Sequence, residues 1–209
     1  MYRPKAFAVA DIAELHRFIR QRVFATIGVA TNGTIAFAYA PVVLDADGAF
    51  GAVRFHLARN NPVAEVPDGT RVLLTFTGPD AYVSPDWYAS HAMVPTWNYV
   101  AVEGEGEARR LSNEGLRTLL INLSAEQEDK LLPKKPWTID KVPEARLAAL
   151  SAAIVGYSVA FAKLEGKYKL SQDKKPEDVT GVIAGLEARG DAQSRAVADA
   201  ITASRVRTL

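Results

Sequence analysis

Apolar residues first recur at a spacing of three to four. Ile12, Leu15, Phe18 and Ile19 share one side of a helix whose start is marked by Asp11 and, three residues on, Glu14. His16 lies in this helix beside Arg17 and Arg20 and is assigned to its solvated face. From residue 23 the period shortens to two. Residues 23–31 predict a strand, Asn32-Gly33 a tight hairpin turn, and residues 34–44 the returning strand. Asp45-Ala46-Asp47-Gly48 makes the next turn and residues 49–56 a third strand. In that strand Arg54 and His56 share one face, and Val53, Phe55 and Leu57 share the other. The polar segment Ala58-Arg59-Asn60-Asn61-Pro62 follows. Residues 71–77 predict a short apolar strand and 96–111 a long one.

The helical period returns over 112–129, with Leu116, Leu119, Leu120 and Leu123 on one side. Lys134-Lys135-Pro136-Trp137 reads as a loop, and Pro143 opens a second helix that runs to 153. Residues 154–172 predict one strand or a strand pair. Pro176 opens a helix to about 189, and Asp191 caps a last one through 203. Neither an internal repeat nor a low-complexity linker interrupts the chain. Strands at close spacing with tight turns, followed by helices, predict an α+β protein. The expectation is a small antiparallel barrel with flanking helices and a helical C-terminal segment over 176–209, all in one domain.

One stretch departs from this plain alternation. Residues 78–104 hold Trp87 and Trp97, Tyr82, Tyr88 and Tyr99, and Pro79, Pro85 and Pro95. Aromatic side chains provide broad flat contact at little rotamer cost, and prolines fix the loop that carries them. Such a rim suits a planar ligand. A well-packed β-core with a stiff loop has the same composition.

Composition narrows the chemistry. The chain has 209 residues and no cysteine, which removes disulfides, thiolate nucleophiles, zinc ribbons and iron–sulfur clusters. Its three histidines, His16, His56 and His91, are widely spaced, so no metal site is expected. A formal net charge of +1 gives no global steering towards nucleic acid or an anionic membrane. No apolar run is long enough to span a bilayer, and a soluble, cytoplasmic protein is expected. Gly166-Lys167 lacks the glycines of a phosphate-binding loop, and Gly104-Glu105-Gly106 sits in a strand pattern with no helix after it. No serine has a nucleophile-elbow context. Arg195, Arg205 and Arg207 at the helical end read as solubilising charge.

Two features remain. As a strand, residues 163–171 place Lys163, Glu165, Lys167, Lys169 and Ser171 on one side, gathering three ammonium groups that a phosphate, or nearby acidic residues, would balance. The turn after His56 offers Arg59 for bidentate bonds to phosphate oxygens, with backbone amides beside it. With the aromatic rim, these describe a phosphorylated planar ligand on a small barrel.

Several segments carry a resemblance. They are Met1-Tyr2-Arg3-Pro4-Lys5, His56-Leu57-Ala58-Arg59-Asn60-Asn61-Pro62, the run from Gly78 to Tyr88, Val94-Pro95-Thr96-Trp97-Asn98-Tyr99, Ile154-Val155-Gly156, Leu164-Glu165-Gly166-Lys167 and Lys169-Leu170-Ser171-Gln172. In this order they resemble the PaiB family of FMN-binding negative transcriptional regulators with a split-barrel fold. The resemblance implies a homodimer with FMN at the subunit interface and DNA as a further partner. It implies that His56, Leu57, Arg59, Asn60 and Asn61 hold the phosphate end. Thr96, Trp97, Asn98 and Tyr99 would line the flavin, and Lys167, Lys169, Ser171 and Gln172 would close the site from the partner chain. Strand alternation prevents all four residues from 96 to 99 from touching one ring, so Asn98 is favoured for hydrogen bonding and Trp97 is assigned to the core. The chain departs from the family pattern at Ala38-Tyr39, where a Thr-His pair is usual, and at His91, where a lysine is usual. The rival expectation is a flavin-dependent oxidoreductase of the pyridoxamine-phosphate-oxidase-like or haem-handling type. No catalytic residue stands out for it beyond His56 and His91, which titrate near neutrality.

Overall fold

The computed structural model describes residues 1–31 and 33–206. Its strands are β1 (Ala8–Val9), β2 (Phe24–Thr31), β3 (Thr34–Pro41), β4 (Val43–Asp45), β5 (Ala52–Ala58), β6 (Arg71–Val83), β7 (Thr96–Arg110) and β8 (Ile154–Lys169). The helices are α1 (Ile12–Arg22), α2 (Asn113–Glu128), α3 (Glu144–Ala152), α4 (Pro176–Arg189) and α5 (Ala192–Val206). The eight strands hydrogen-bond in the order β3-β2-β6-β7-β8-β5-β4, with β1 added beside β8. The chain divides into two compact units. The first comprises Met1–Asp11, Thr77–Val102 and the described chain from Glu165 on; the second comprises Ile12–Phe76 and Glu103–Leu164.

In the second unit β2 and β3 form a hairpin, paired antiparallel from Phe24↔Pro41 to Thr31↔Thr34, and β2 continues onto β6 with Gly28 opposite Leu73. Gly33 in the turn has a φ of +74°, which suits the predicted hairpin; Asn32 lies outside the described residues, as does Arg207 of the basic end. One face of this sheet is core: Ala25, Ile27, Val29, Ala38, Ala40, Val72 and Leu74 are all buried. The strand predicted over 34–44 breaks at Pro41, which lacks an N–H, and the Val42 amide bonds instead to the Val23 carbonyl at 2.9 Å. Helix α2, capped by Ser112 Oγ accepting from the Gly115 amide at 3.1 Å, lays Leu116 and Leu119 on Val43, with Leu120 and Leu123 around them. Each such leucine contributes roughly 1.5–3 kcal/mol on burial.

His16 is not solvated. It occupies the apolar stripe with Ile12, Leu15 and Ile19, is buried, and places Nε2 2.8 Å from the Phe50 carbonyl. Its position three and four residues from its apolar neighbours outweighs its polarity.

In the first unit β1 pairs with β8 (Ala8↔Lys167), and α4 and α5 bury Val179, Val182, Leu186, Val197 and Ile201. Asp178 near the start of α4 accepts from both the amide and the hydroxyl of Ser90, each at 2.8 Å. Trp87 packs onto α4 so closely that a Cβ on Gly185 would sit 2.3 Å from the indole, so glycine is required there. The loop expected around Pro79 does not form; Gly78, Pro79 and Asp80 lie inside β6. Burial alternates through Gly78, slips by one residue at Pro79-Asp80, and resumes at Ala81 and Val83, so the proline shifts the ladder without ending it. Residues 154–172 form one strand, which stops at Lys169; Ser171, with φ +62°, lies beyond it in a turn.

Candidate functional site

A cavity of about 220 Å³ opens in the first unit, and the run from Tyr88 to Asn98 supplies one wall and the end of β8 the other. Strand alternation sets the wall. Thr96 and Asn98 face the cavity, whereas Trp97 and Tyr99 face away. Trp97 is therefore not core: it is 53% exposed and meets Tyr82 edge-on, with ring centroids 6.3 Å apart. Asn98 is buried and donates from Nδ2 to Ser171 Oγ at 2.8 Å. The left-handed backbone at Ser171 turns that hydroxyl inward. Gln172 braces the turn, its Oε1 accepting from the Leu170 amide at 2.7 Å and its Nε2 donating to the Tyr168 carbonyl at 2.5 Å. Lys169 Nζ donates to Thr96 Oγ1. Lys174 pairs with Asp173 at 2.7 Å on the same lining.

Tyr88 completes the wall. It is 8% exposed, and its hydroxyl is buried with no hydrogen-bond partner among the described residues. Burial pushes its phenol above the ordinary tyrosine range, so the group stays a neutral donor. Sequence reasoning placed Tyr88 in an aromatic rim without assigning it to the site, and it missed Lys174. The signal for Tyr88 was its place beside the Pro95-Thr96-Trp97-Asn98 run; Lys174 is one of two adjacent lysines and had none.

The other predicted residues are placed differently. Lys167 lies 5.3 Å from the ring centroids of both Tyr2 and Tyr99, a cation–π arrangement, and is not part of the cavity lining. Glu165 takes the Met1 amino group at 3.0 Å and Arg3 at 3.4 Å, so its charge is directed to the N-terminal segment. His56, Leu57, Arg59, Asn60 and Asn61 fall in the second unit. Leu57 is buried beside Val53 and Phe55. Arg59 donates to the Ala152 and Ile154 carbonyls at 2.8 and 3.2 Å. Asn61 caps the turn after it, accepting from the Val63 amide at 2.9 Å, and Asn60 is exposed. The His56 Nδ1 is buried without a partner among the described residues, and burial holds its imidazole below the ordinary value of 6.5. Tyr39 and His91, where the chain departs from the family pattern, are both exposed. Thus Thr96, Asn98, Lys169 and Ser171 are brought together; Tyr99, Lys167 and Gln172 support them from the same unit.

The fold has solved counterparts. The FAD and heme binding protein from Mycobacterium smegmatis matches with a TM-score of 0.58 at 14% identity, over 85% of this chain and 79% of that one. The flavocytochrome Anf3 from Azotobacter vinelandii matches at 0.53 and 18%, over 78% and 69%. The fold is thus the α+β split barrel of flavin-binding proteins. A family model described as "Putative FMN-binding domain" matches residues 1–163. Protease synthase and sporulation protein PAI 2 from Bacillus subtilis (strain 168) is 29% identical over 203 residues, covering 95% of each chain. The chain belongs to this FMN-binding family, the PaiB family.

FMN is the cofactor that family membership implies, and the cavity's chemistry fits it. Donors converge from Ser171, Lys169 and Lys174, with the Asp173 carboxylate among the lining residues. Among the described residues no group of three or more His, Cys, Asp or Glu side chains is arranged to hold a metal. No helix among them is long and apolar enough to cross a membrane.

Proposed function

We propose that the chain is a homodimeric FMN-binding protein acting as a negative transcriptional regulator. The observation that carries the FMN reading is the meeting of the Lys169 and Lys174 ammonium groups and the Ser171 hydroxyl on one cavity, a donor set suited to anionic and carbonyl oxygens. Lys169 and Lys174 would supply positive charge to the cofactor, Ser171 would donate to its oxygens, and Asn98 would hold Ser171 in place. FMN supplies redox capacity when bound; the protein contributes orientation and electrostatics.

Two observations support the dimer. The cavity, at about 220 Å³, is smaller than the ~300–1,000 Å³ of sites that enclose a drug-sized ligand, so one copy holds part of the cofactor. Its wall also carries Val94, 72% exposed, an apolar residue that a partner would cover. In the second unit, the β2–β3 hairpin is apolar on both faces. Ile35, Phe37 and Tyr39 stand on the outer face at 60–68% exposure, with Leu73 in the adjoining row. A sheet apolar on both faces is normally covered on both.

The regulatory part rests on the name of the Bacillus subtilis relative, which refers to protease synthesis and sporulation. Two experiments test the reading. FMN titration should show Lys169→Met binding at least about tenfold more weakly than the parent, the order of one lost charge-assisted bond. DNA crosslinked to the protein in cells should be enriched at discrete promoters, with binding that weakens steeply as salt rises. Uniform recovery across the genome would remove the regulatory role and leave the flavoprotein.

A further inference from the structure

The exposed apolar row of the β2–β3 hairpin does not end at Tyr39. On β2 the same face runs from Gly28, opposite Phe37, through Thr26, opposite Tyr39, to Phe24, opposite Pro41. Phe24 is 58% exposed. With Pro41 it forms one side of a groove of about 470 Å³, and Leu123 of α2 and Trp137 form the other. Between α2 and Trp137 the chain sets out Leu131 and Leu132, 54% and 61% exposed. All of these residues belong to the second unit.

The loop that carries the leucines and Trp137 is tied down. Glu128 accepts from the Trp137 amide at 2.7 Å and from Lys134 Nζ, and the Lys134 amide donates to the Leu131 carbonyl at 3.1 Å. Pro133 and Pro136 restrict the backbone between them. Phe24 is set in place from its neighbour Val23, whose amide donates to the Ile19 carbonyl at 2.8 Å and whose carbonyl accepts from the Val42 amide at 2.9 Å. Apolar surface that is already fixed loses little freedom when it is covered, which favours association.

Area decides what covers it. At roughly 200 Å² for each large residue, the exposed parts of Ile35, Phe37, Tyr39 and Leu73 offer about 450 Å². A stable interface takes about 800 Å² from each partner, so the hairpin alone falls well short. Phe24, Leu131, Leu132 and Trp137 add about 400 Å² and bring the face to that size. A two-fold dimer uses one self-complementary patch on each copy, and the hairpin row runs into the groove without a break.

We infer that a second copy of this chain covers the groove and the loop with Leu131, Leu132 and Trp137 as well as the hairpin, so that this loop is part of the subunit interface. The assignment rests on the dimer proposed above and extends it to a segment that the hairpin does not include.

The test is sedimentation velocity of the full chain over a concentration series, with the double variant Leu131→Ser/Leu132→Ser beside the parent. Both leucines are exposed, so the thermal midpoint at low concentration should hold. The dimer Kd should rise at least about a hundredfold, because the interface uses each leucine twice. The chain has no cysteine, so Leu132→Cys supplies a single thiol while keeping the position apolar. Its alkylation by N-ethylmaleimide should slow about tenfold as the protein is raised from well below the dimer Kd to about a hundred times above it. Ala188→Cys, exposed on α4 in the other unit, should react at one rate throughout. A double variant that dimerises as tightly as the parent, or a Leu132→Cys thiol whose rate ignores concentration while the dimer forms, would overturn the loop's part and leave a dimer that Phe37→Ala still weakens. A parent that stays monomeric at every concentration would instead overturn the dimer itself, and the loop's part with it.

Discussion

Replacing Phe37 by alanine should separate the proposed dimer without unfolding the chain. Phe37 sits on the outer face of β3, opposite Gly28, its ring covering the place where a Cβ would be 3.1 Å away. It remains 60% exposed. An aromatic side chain has roughly 150–250 Å² to bury, so about 120 Å² is left for a partner to cover. At ~25 cal/mol per Å² that is about 3 kcal/mol per copy, and a two-fold interface uses the residue twice. Full coverage therefore predicts a dimer Kd about four decades weaker, and half coverage about two. Sedimentation velocity over a concentration series reads this directly. The thermal midpoint at low concentration should hardly move, because the inner face, with Ile27, Val29, Ala38 and Leu74, is untouched. An unchanged Kd, or a parent protein that stays monomeric at every concentration, would refute the assignment of this face.

Three smaller perturbations probe individual residues. Tyr88→Phe should leave FMN affinity unchanged by fluorescence titration and stability unchanged or slightly raised, since it removes a buried donor with no partner among the described residues; a clear loss of affinity would place the hydroxyl within the cofactor's reach. Arg59→Ala should lower stability by about 1–3 kcal/mol in urea unfolding, because the Ala152 carbonyl at the end of α3 and the Ile154 carbonyl at the start of β8 lose their donor, with FMN affinity unchanged. A fall in affinity at unchanged stability would return Arg59 to the phosphate. For His56, burial lowers the folded-state pKa below 6.5, so the unfolded chain binds the extra proton first. Stability should therefore hold above pH 6.5 and fall as pH drops through the folded-state pKa, and His56→Gln should flatten that slope; an identical slope in the variant would show another group to be responsible.

The sequence made the secondary structure legible where period and punctuation agreed. The β2–β3 hairpin, α2 and α4 opened by Pro176 all lie where the pattern put them. It failed where one residue carried two signals. Pro79 looked like part of a loop yet only shifts the register of β6, and His16 looked polar yet holds a core position. The site was half legible. Thr96 and Asn98 meet Lys169 and Ser171 within one chain, whereas the resemblance implied that the last two reach the site from the partner; Ser171 arrives through a left-handed turn rather than along a strand, which no period can reveal. Arg59 was read as a phosphate ligand because a guanidinium after a strand looks available; the carbonyls that accept from it lie more than 90 residues away in the chain. Both faces of the hairpin were visibly apolar in the sequence, yet the strand pattern alone did not say which face is core.

The most direct test of the cofactor assignment is an absorbance spectrum of the protein after loading with FMN and removal of unbound flavin, run beside Asn98→Leu. The account predicts retained flavin near one per chain in the parent, with a spectrum perturbed from free FMN. Asn98→Leu should retain far less, because Ser171 loses the amide that holds it at 2.8 Å. A colourless parent protein, or an Asn98→Leu variant that retains flavin as fully as the parent, would contradict it.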